Sequence, residues 1–153
     1  MVTYFLATDG SDPARNAEEY IENVANPDQD RVIVLAALHS SAILGDYQYT
    51  SSSGEEILDY ESLLNKISMS LENLVDTTAD RLQESGFDAQ AKFVNGLPGE
   101  QICQSASELD VDVIVMGRRG AGAWAEVLLG SVSSYVVHHA DCPVTLVPSE
   151  DQS

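Results

Sequence analysis

Lysine is nearly absent from this chain. Lys66 and Lys92 are the only two among 153 residues, and with five arginines they face 25 Asp and Glu, giving a formal charge of -18. Binding nucleic acid through its phosphates requires clustered cations, so DNA and RNA are excluded as general partners. Cysteine is scarce too. Cys103 and Cys142 are too few and too far apart for a disulfide framework, and no Cys-x-x-Cys or Cys/His spacing marks a metal site. Long apolar runs are missing: nowhere do eighteen apolar residues stand together, so no membrane insertion is expected. The opening Met1-Val2-Thr3-Tyr4-Phe5-Leu6-Ala7 has no basic flank and is too short for a signal peptide, so the expected location is cytoplasmic. Neither a lysine of Walker type nor a kinase loop is present, which argues against rapid phosphoryl transfer.

What is present alternates in period. Val2–Ala7 is short, β-branched and aromatic, and it runs into Thr8-Asp9-Gly10, a strand ending in a turn. Ser11 can cap a helix that has Asp12 and Pro13 in its first turn and a stripe of Ala14, Ala17, Ile21 and Val24, ending at Asn26-Pro27. Arg31–Leu38 is almost continuously apolar, the mark of a strand covered on both faces, and ends near His39. From Ser40 to Gly54 no periodicity is readable, which predicts a loop or lid. Ile57, Tyr60, Leu64, Ile67, Leu71, Leu74 and Val75 recur at helical spacing toward a stop at Gly86. Strands over Ala89–Val94, Val111–Met116 and Cys142–Val147, with helices over Pro98–Leu109 and residues 125–139, complete the pattern. Five strands alternating with four helices predict one open parallel α/β sheet with helices on both faces.

In such a sheet ligands collect at the carboxyl ends of the strands. There the chain places Thr8-Asp9-Gly10 and Met116-Gly117-Arg118-Arg119-Gly120, the latter followed by Gly130-Ser131-Val132-Ser133. Gly117, Gly120 and Gly130 would let backbone N–H groups reach phosphate oxygens with no Cβ in the way and with positive φ available. Gly130-Ser131 would open a helix whose free amides favour an anion, with the Ser131 and Ser133 hydroxyls beside them. Two of five arginines, Arg118 and Arg119, fall in this one loop and would offset the repulsion of a polyphosphate by the acidic surface. A merely flexible glycine loop is the plainer reading. The apolar strand before and the helix after favour a phosphate cradle.

Other candidates have simpler explanations. His138 and His139 read as a helix C-terminal cap, Asp12 as a first-turn residue, and both cysteines as packed thiols. His39, at a strand end, lacks a Ser or Cys partner at motif spacing; Tyr47 and Tyr49 could stack on a base but are also ordinary loop residues; Trp124 belongs to no motif.

The spacing Gly117, two residues, Gly120, nine residues, Gly130-Ser131, preceded by Val113-Ile114-Val115-Met116 and followed by Asp141-Cys142-Pro143-Val144-Thr145-Leu146-Val147-Pro148, resembles the universal stress protein family. So do Ala7-Thr8-Asp9-Gly10-Ser11, Leu38-His39 and Gly96-Leu97-Pro98-Gly99. The resemblance implies a Rossmann-like, adenine nucleotide alpha hydrolase-like sheet in the order 3-2-1-4-5 over residues 1–148, with a polar tail at 149–153. The complete glycine spacing implies the ATP-binding branch, with AMP or ADP as related ligands and Mg²⁺ held through the phosphates rather than by assigned protein ligands. By the same resemblance Asp9 lies near the adenosine and the metal-bound phosphates. Ala7 and the turn from Leu38 to Ser40 surround ribose and base, and Met116 and Gly117 line the nucleoside pocket. Arg119, Gly120, Gly130, Ser131, Val132 and Ser133 then surround the phosphates. Ala7 stands where proline is frequent in the family, and Ser40 where valine is frequent. The family implies a homodimer through the last strand, Val144–Val147, and a regulatory role with an unidentified protein partner. At most, slow ATP hydrolysis or self-phosphorylation is expected, with a pure interaction module binding AMP or no nucleotide as the alternative.

The acid excess itself predicts adaptation to high salt, because like charges are screened over about 3 Å at 1 M but about 8 Å at physiological ionic strength. A thermal melt is expected to rise between low and multimolar KCl. Equal melting temperatures would remove that reading.

Overall fold

Strands of unbroken apolar composition need cover on both faces. The computed structural model describes residues 1–41, 57–118 and 129–149. In order they form β1 (Thr3–Ala7), α1 (Asp12–Val24), β2 (Arg31–Leu38), α2 (Ile57–Glu84), β3 (Asp88–Asn95), α3 (Pro98–Glu108), β4 (Val113–Gly117), α4 (Ser131–His139) and β5 (Val144–Val147). All strand pairs are parallel, in the order β3-β2-β1-β4-β5. This is the Rossmann-like arrangement the resemblance implied.

Register divides the core in two. Leu6 stands beside Val34 and Val115, whereas Phe5 stands beside Ile33 and Ile114. Successive strand residues point to opposite faces, so these rows feed different interiors. The Leu6 row packs with Ala17 and Ile21 of α1 and with Val75, Ala79 and Leu82 of α2. The Phe5 row packs with Ile102 and Ala106 of α3 and Val136 of α4. Each large side chain buried this way contributes about 1.5–3 kcal/mol.

Element ends differ from the sequence reading for local reasons. Val111 is not in β4, because its N–H closes the exit of α3 on the Ala106 carbonyl (3.1 Å) after Asp110 turns with φ +50°. Cys142 and Pro143 precede β5 instead of opening it; Pro143 has no N–H to offer and contributes only its carbonyl, to Ile114 N at 2.9 Å. The last helix starts at Ser131, later than the expected residue 125, since Leu129 and Gly130 are not helical. Residues 125–128 and most of the 40–54 loop lie outside the described residues. At the end of α2, Gly86 takes φ +96° and Phe87 N donates to the Leu82 carbonyl (3.0 Å), which stops the helix where glycine was expected to.

On α1 the stripe stops early. Ala14, Ala17 and Ile21 are buried, but Val24 is 49% exposed, and Glu18 is buried in its place at 8% exposure. Its carboxylate accepts both Arg81 Nε and Arg81 Nη2 at 2.9 Å, while Nη2 also donates to Thr78 Oγ1 at 3.1 Å. The Glu18 hydrogen bonds and charge hold the Arg81 guanidinium protonated above even its usual range. The pair fastens α1 to α2 across one face of the sheet. Arg81→Ala would leave the Glu18 carboxylate unpaired and is expected to cost about 1–3 kcal/mol, between the values for exposed and buried pairs. Chemical denaturation checks it, and an unchanged midpoint would mean the pair adds nothing.

Candidate functional site

Parallel strands release their turns at one rim of the sheet, and there the two informative turns meet. After β1, Gly10 takes φ +78°, Gly10 N donates to Thr8 Oγ1 (3.2 Å) and Ser11 N donates to Asp9 Oδ1 (3.0 Å). Ser11 Oγ then accepts Ala14 N at 3.4 Å and caps α1, as expected from its place before Pro13. The turn is thus closed by its own short polar side chains, a function for which Asp and Ser are suited.

After β4, the chain passes close over α1. A methyl group at Gly117 would lie 2.5 Å from the Pro13 carbonyl carbon and 2.6 Å from its oxygen, so only hydrogen fits. Arg118 N donates to the Val147 carbonyl at 2.7 Å, extending the β4–β5 pairing by one residue. Opposite stands the first turn of α4. Its N-cap, Gly130, provides no side-chain cap, and the helical ladder begins with Ser134 N on the Gly130 carbonyl at 2.8 Å. The amides of the first helical turn therefore have no carbonyl of their own helix to bond. Ser133 is only 2% exposed and its Oγ lies 3.5 Å from the Gly117 carbonyl.

Between these parts lies a cavity of about 170 Å³. Ala7, Leu35, Ala37, Met116 and Gly117 form its floor; Thr8, Asp9, Ser11 and Ala14 one side; Pro98, Ile102, Val132 and Ser133 the other. Of the residues expected at a site, Ala7, Asp9, Met116, Gly117, Val132 and Ser133 come together here. Ser131 does not line it, facing a neighbouring groove with Leu97, Gly99 and Tyr135. Gly130 flanks it as the cap of α4. Ser40 stands apart, its carbonyl accepting the Tyr60 hydroxyl at 3.0 Å. Arg119, Gly120, Tyr47, Tyr49 and Trp124 lie outside the described residues.

The glycines act differently from expectation. Gly130 has φ -57°, and among the described residues the glycines with positive φ are Gly10, Gly86 and Gly96. Gly117 continues a strand and serves close packing on Pro13, so it needs no left-handed backbone. Sequence reasoning overlooked Leu35, Ala37, Pro98 and Ile102. Alternation from Leu35 to Ala37 along β2 was the available signal, but periodicity does not say which interior a face will line.

The histidines do not cap the last carbonyls as expected: His138 Nδ1 donates to the Ser134 carbonyl (2.7 Å) and His139 Nδ1 to that of Tyr135 (2.8 Å), each one turn back within α4. Burial raises both cysteine thiols, which pack against the Phe5-side interior. Among the described residues no group of three His, Cys, Asp or Glu is arranged for a metal, and Asp9 is the one carboxylate lining the cavity. No helix among them is long and apolar enough to cross a membrane.

Known proteins share this arrangement. The family model described as the universal stress protein family matches residues 5–148. A universal stress protein of Thermus aquaticus is 35% identical over 146 residues, spanning 95% of this chain and 97% of its own. The solved structure of a Methanocaldococcus jannaschii relative superimposes with a TM-score of 0.79 at 25% identity, over 99% of this chain and 98% of that one. A universal stress protein solved in complex with cAMP gives 0.64 at 23% identity (97% and 98% covered). An Arabidopsis thaliana member solved with AMP bound gives 0.64 at 18% identity (100% and 95% covered). The last two likenesses are of fold.

Gly117→Ala tests the approach of β4 to α1. The added methyl is expected to cost about 1–3 kcal/mol in unfolding free energy as the first turn of α1 is displaced. Wild-type stability would mean that α1 moves aside freely.

Proposed function

This chain belongs to the universal stress protein family, and from that premise we propose that it is a regulatory nucleotide-binding protein holding ATP at the carboxyl rim of its sheet. One observation carries the reading: the start of α4, with no side-chain cap, forms the wall of an apolar-floored cavity facing Asp9. The apolar floor suits a nucleoside, and a helix N-terminus with nearby hydroxyls suits phosphate. The parts fit the ligand chemically. Val132 and Ser133 line the phosphate side, with Gly130 and Ser131 at the helix start, while Ala7 and Met116 lie beneath the nucleoside. Arg119 and Gly120 complete the phosphate side in this reading, and Ser40 contributes through its neighbourhood rather than by lining the cavity.

A bound Mg²⁺ would neutralise phosphate charge, held through the phosphates with Asp9 as the nearby protein carboxylate. One carboxylate is a poor basis for fast hydrolysis, so any turnover or self-phosphorylation is slow. The protein then acts by being occupied, in a cytoplasmic setting, through a partner protein. The relatives solved with AMP and cAMP favour a second reading in which the ligand is a monophosphate. β5 ends the sheet order at a free edge, and pairing it across a two-fold axis, Val144–Val147 on Val144–Val147, would make the homodimer.

Mass spectrometry of ligand released from the purified protein is expected to find ATP, with AMP in the second reading. Gly130→Val, acceptable to the backbone at φ -57°, is expected to keep the melting temperature and weaken ATP at least about tenfold. A chain that carries no nucleotide and shows no calorimetric ATP binding would overturn the reading, and retained affinity in the variant would move the phosphates elsewhere.

A further inference from the structure

No described side chain of α2 lines the cavity, yet the helix reaches the segments that follow β1 and β2. Near its start the Tyr60 hydroxyl donates to the Ser40 carbonyl at 3.0 Å, just beyond β2. About four turns on, the Leu74 side chain lies over the turn after β1. A methyl group at Gly10 would stand 3.3 Å from Leu74 Cδ2 and 3.6 Å from Cδ1. That turn carries Asp9. Thr8 N donates to the Leu35 carbonyl of β2 at 2.9 Å and anchors the start of the turn, Gly10 N and Ser11 N donate to Thr8 and Asp9, and both Asp9 and Gly10 are exposed.

A short exposed turn with a left-handed glycine has alternatives close in energy, and packing from a distant element biases the choice among them. Leu74 is half-buried and stands within one methyl group's reach of Gly10, while Tyr60 ties the same helix to the β2 exit, so one element flanks both segments.

We propose that Leu74 is a positioning residue, holding the Thr8–Ser11 turn so that Asp9 faces the cavity, and that Tyr60 anchors the same helix at the β2 exit. The proposal rests on the nucleotide reading for its effect on affinity. Because coupling is reciprocal, a ligand that fixes the turn also steadies α2.

The test compares neighbours on α2 in the full chain. Leu74→Ala is expected to weaken ATP about tenfold, and Leu74→Met to restore it to within about twofold. Val75 is 2% exposed and packs in the Leu6-side interior. Val75→Ala is expected to lower the melting temperature yet keep affinity within about twofold of wild type. Tyr60→Phe, which removes one hydrogen bond, is expected to weaken ATP about threefold. Wild-type affinity in Leu74→Ala, or an equal loss in Val75→Ala, would overturn the role of Leu74; wild-type affinity in Tyr60→Phe would overturn that of Tyr60. Should the wild-type chain bind no adenine nucleotide, the functional reading fails and amide exchange in the ligand-free protein decides the positioning. Faster exchange at Gly10 and Ser11 in Leu74→Ala but not in Val75→Ala supports it, and unchanged exchange overturns it.

Discussion

The meeting of Gly117 with Pro13 governs the geometry of this rim. With no side chain at the end of β4, the first turn of α1 can lie directly on the strand, its backbone closer to the glycine Cα than any Cβ would allow. α1 therefore starts low over the sheet, and the turn that feeds it, Thr8 to Ser11, is brought beside the exit of β4 rather than away from it. Asp9 and Ser133 can then border one cavity although they come from opposite ends of the chain. A larger residue at position 117 would push α1 outward and part the two walls.

Around that contact the fold separates its tasks. Helices α1 and α2 cover one face and are fastened to each other by Glu18 and Arg81 as well as by apolar packing. Helices α3 and α4 cover the other face, and Gly99 lets Tyr135 come close, a methyl there lying 2.7 Å from its ring. At the rim the second face presents Pro98 at the start of α3 and the uncapped first turn of α4. The cavity is the space their first turns leave open. Among the described residues no lysine or arginine lines the cavity, so in the nucleotide reading an anion meets the start of α4 beside the Arg119 proposed for the phosphate side.

Much of this was legible because parallel sheets write themselves as apolar runs: Arg31–Leu38 was read to the residue, and Ser11, Pro13 and Gly86 marked helix ends where the structure has them. Edges were less legible where neighbouring elements compete for a backbone group, as at Val111 and Cys142-Pro143. The candidate site was half legible. Met116, Gly117, Val132 and Ser133 belong to or adjoin a spaced motif and Asp9 to the turn after β1, but the apolar floor from β2 and α3 carries no motif, and its role depends on which strands become neighbours. Gly117 was recognised as special for its φ when it is needed for close packing, because sequence does not distinguish the two requirements. Glu18 was hidden for a similar cause: its partner Arg81 is 63 residues away.

The division of the interior also bears on how such a chain can change over generations. The cavity borrows Ala7, Leu35, Ile102 and Met116 from the interior beneath α3 and α4, and from the other face only Ala14 among the described buried residues of α1. Substitutions that tighten or loosen the α1 and α2 interior alter durability while the ligand floor stays as it is. Those beneath α3 and α4 alter both at once. A lineage moving between hot, cold or saline surroundings thus has deep positions such as Val75 and Leu82 to adjust, provided that α1 keeps its seat on Gly117, while the other half is held by whatever the cavity must fit.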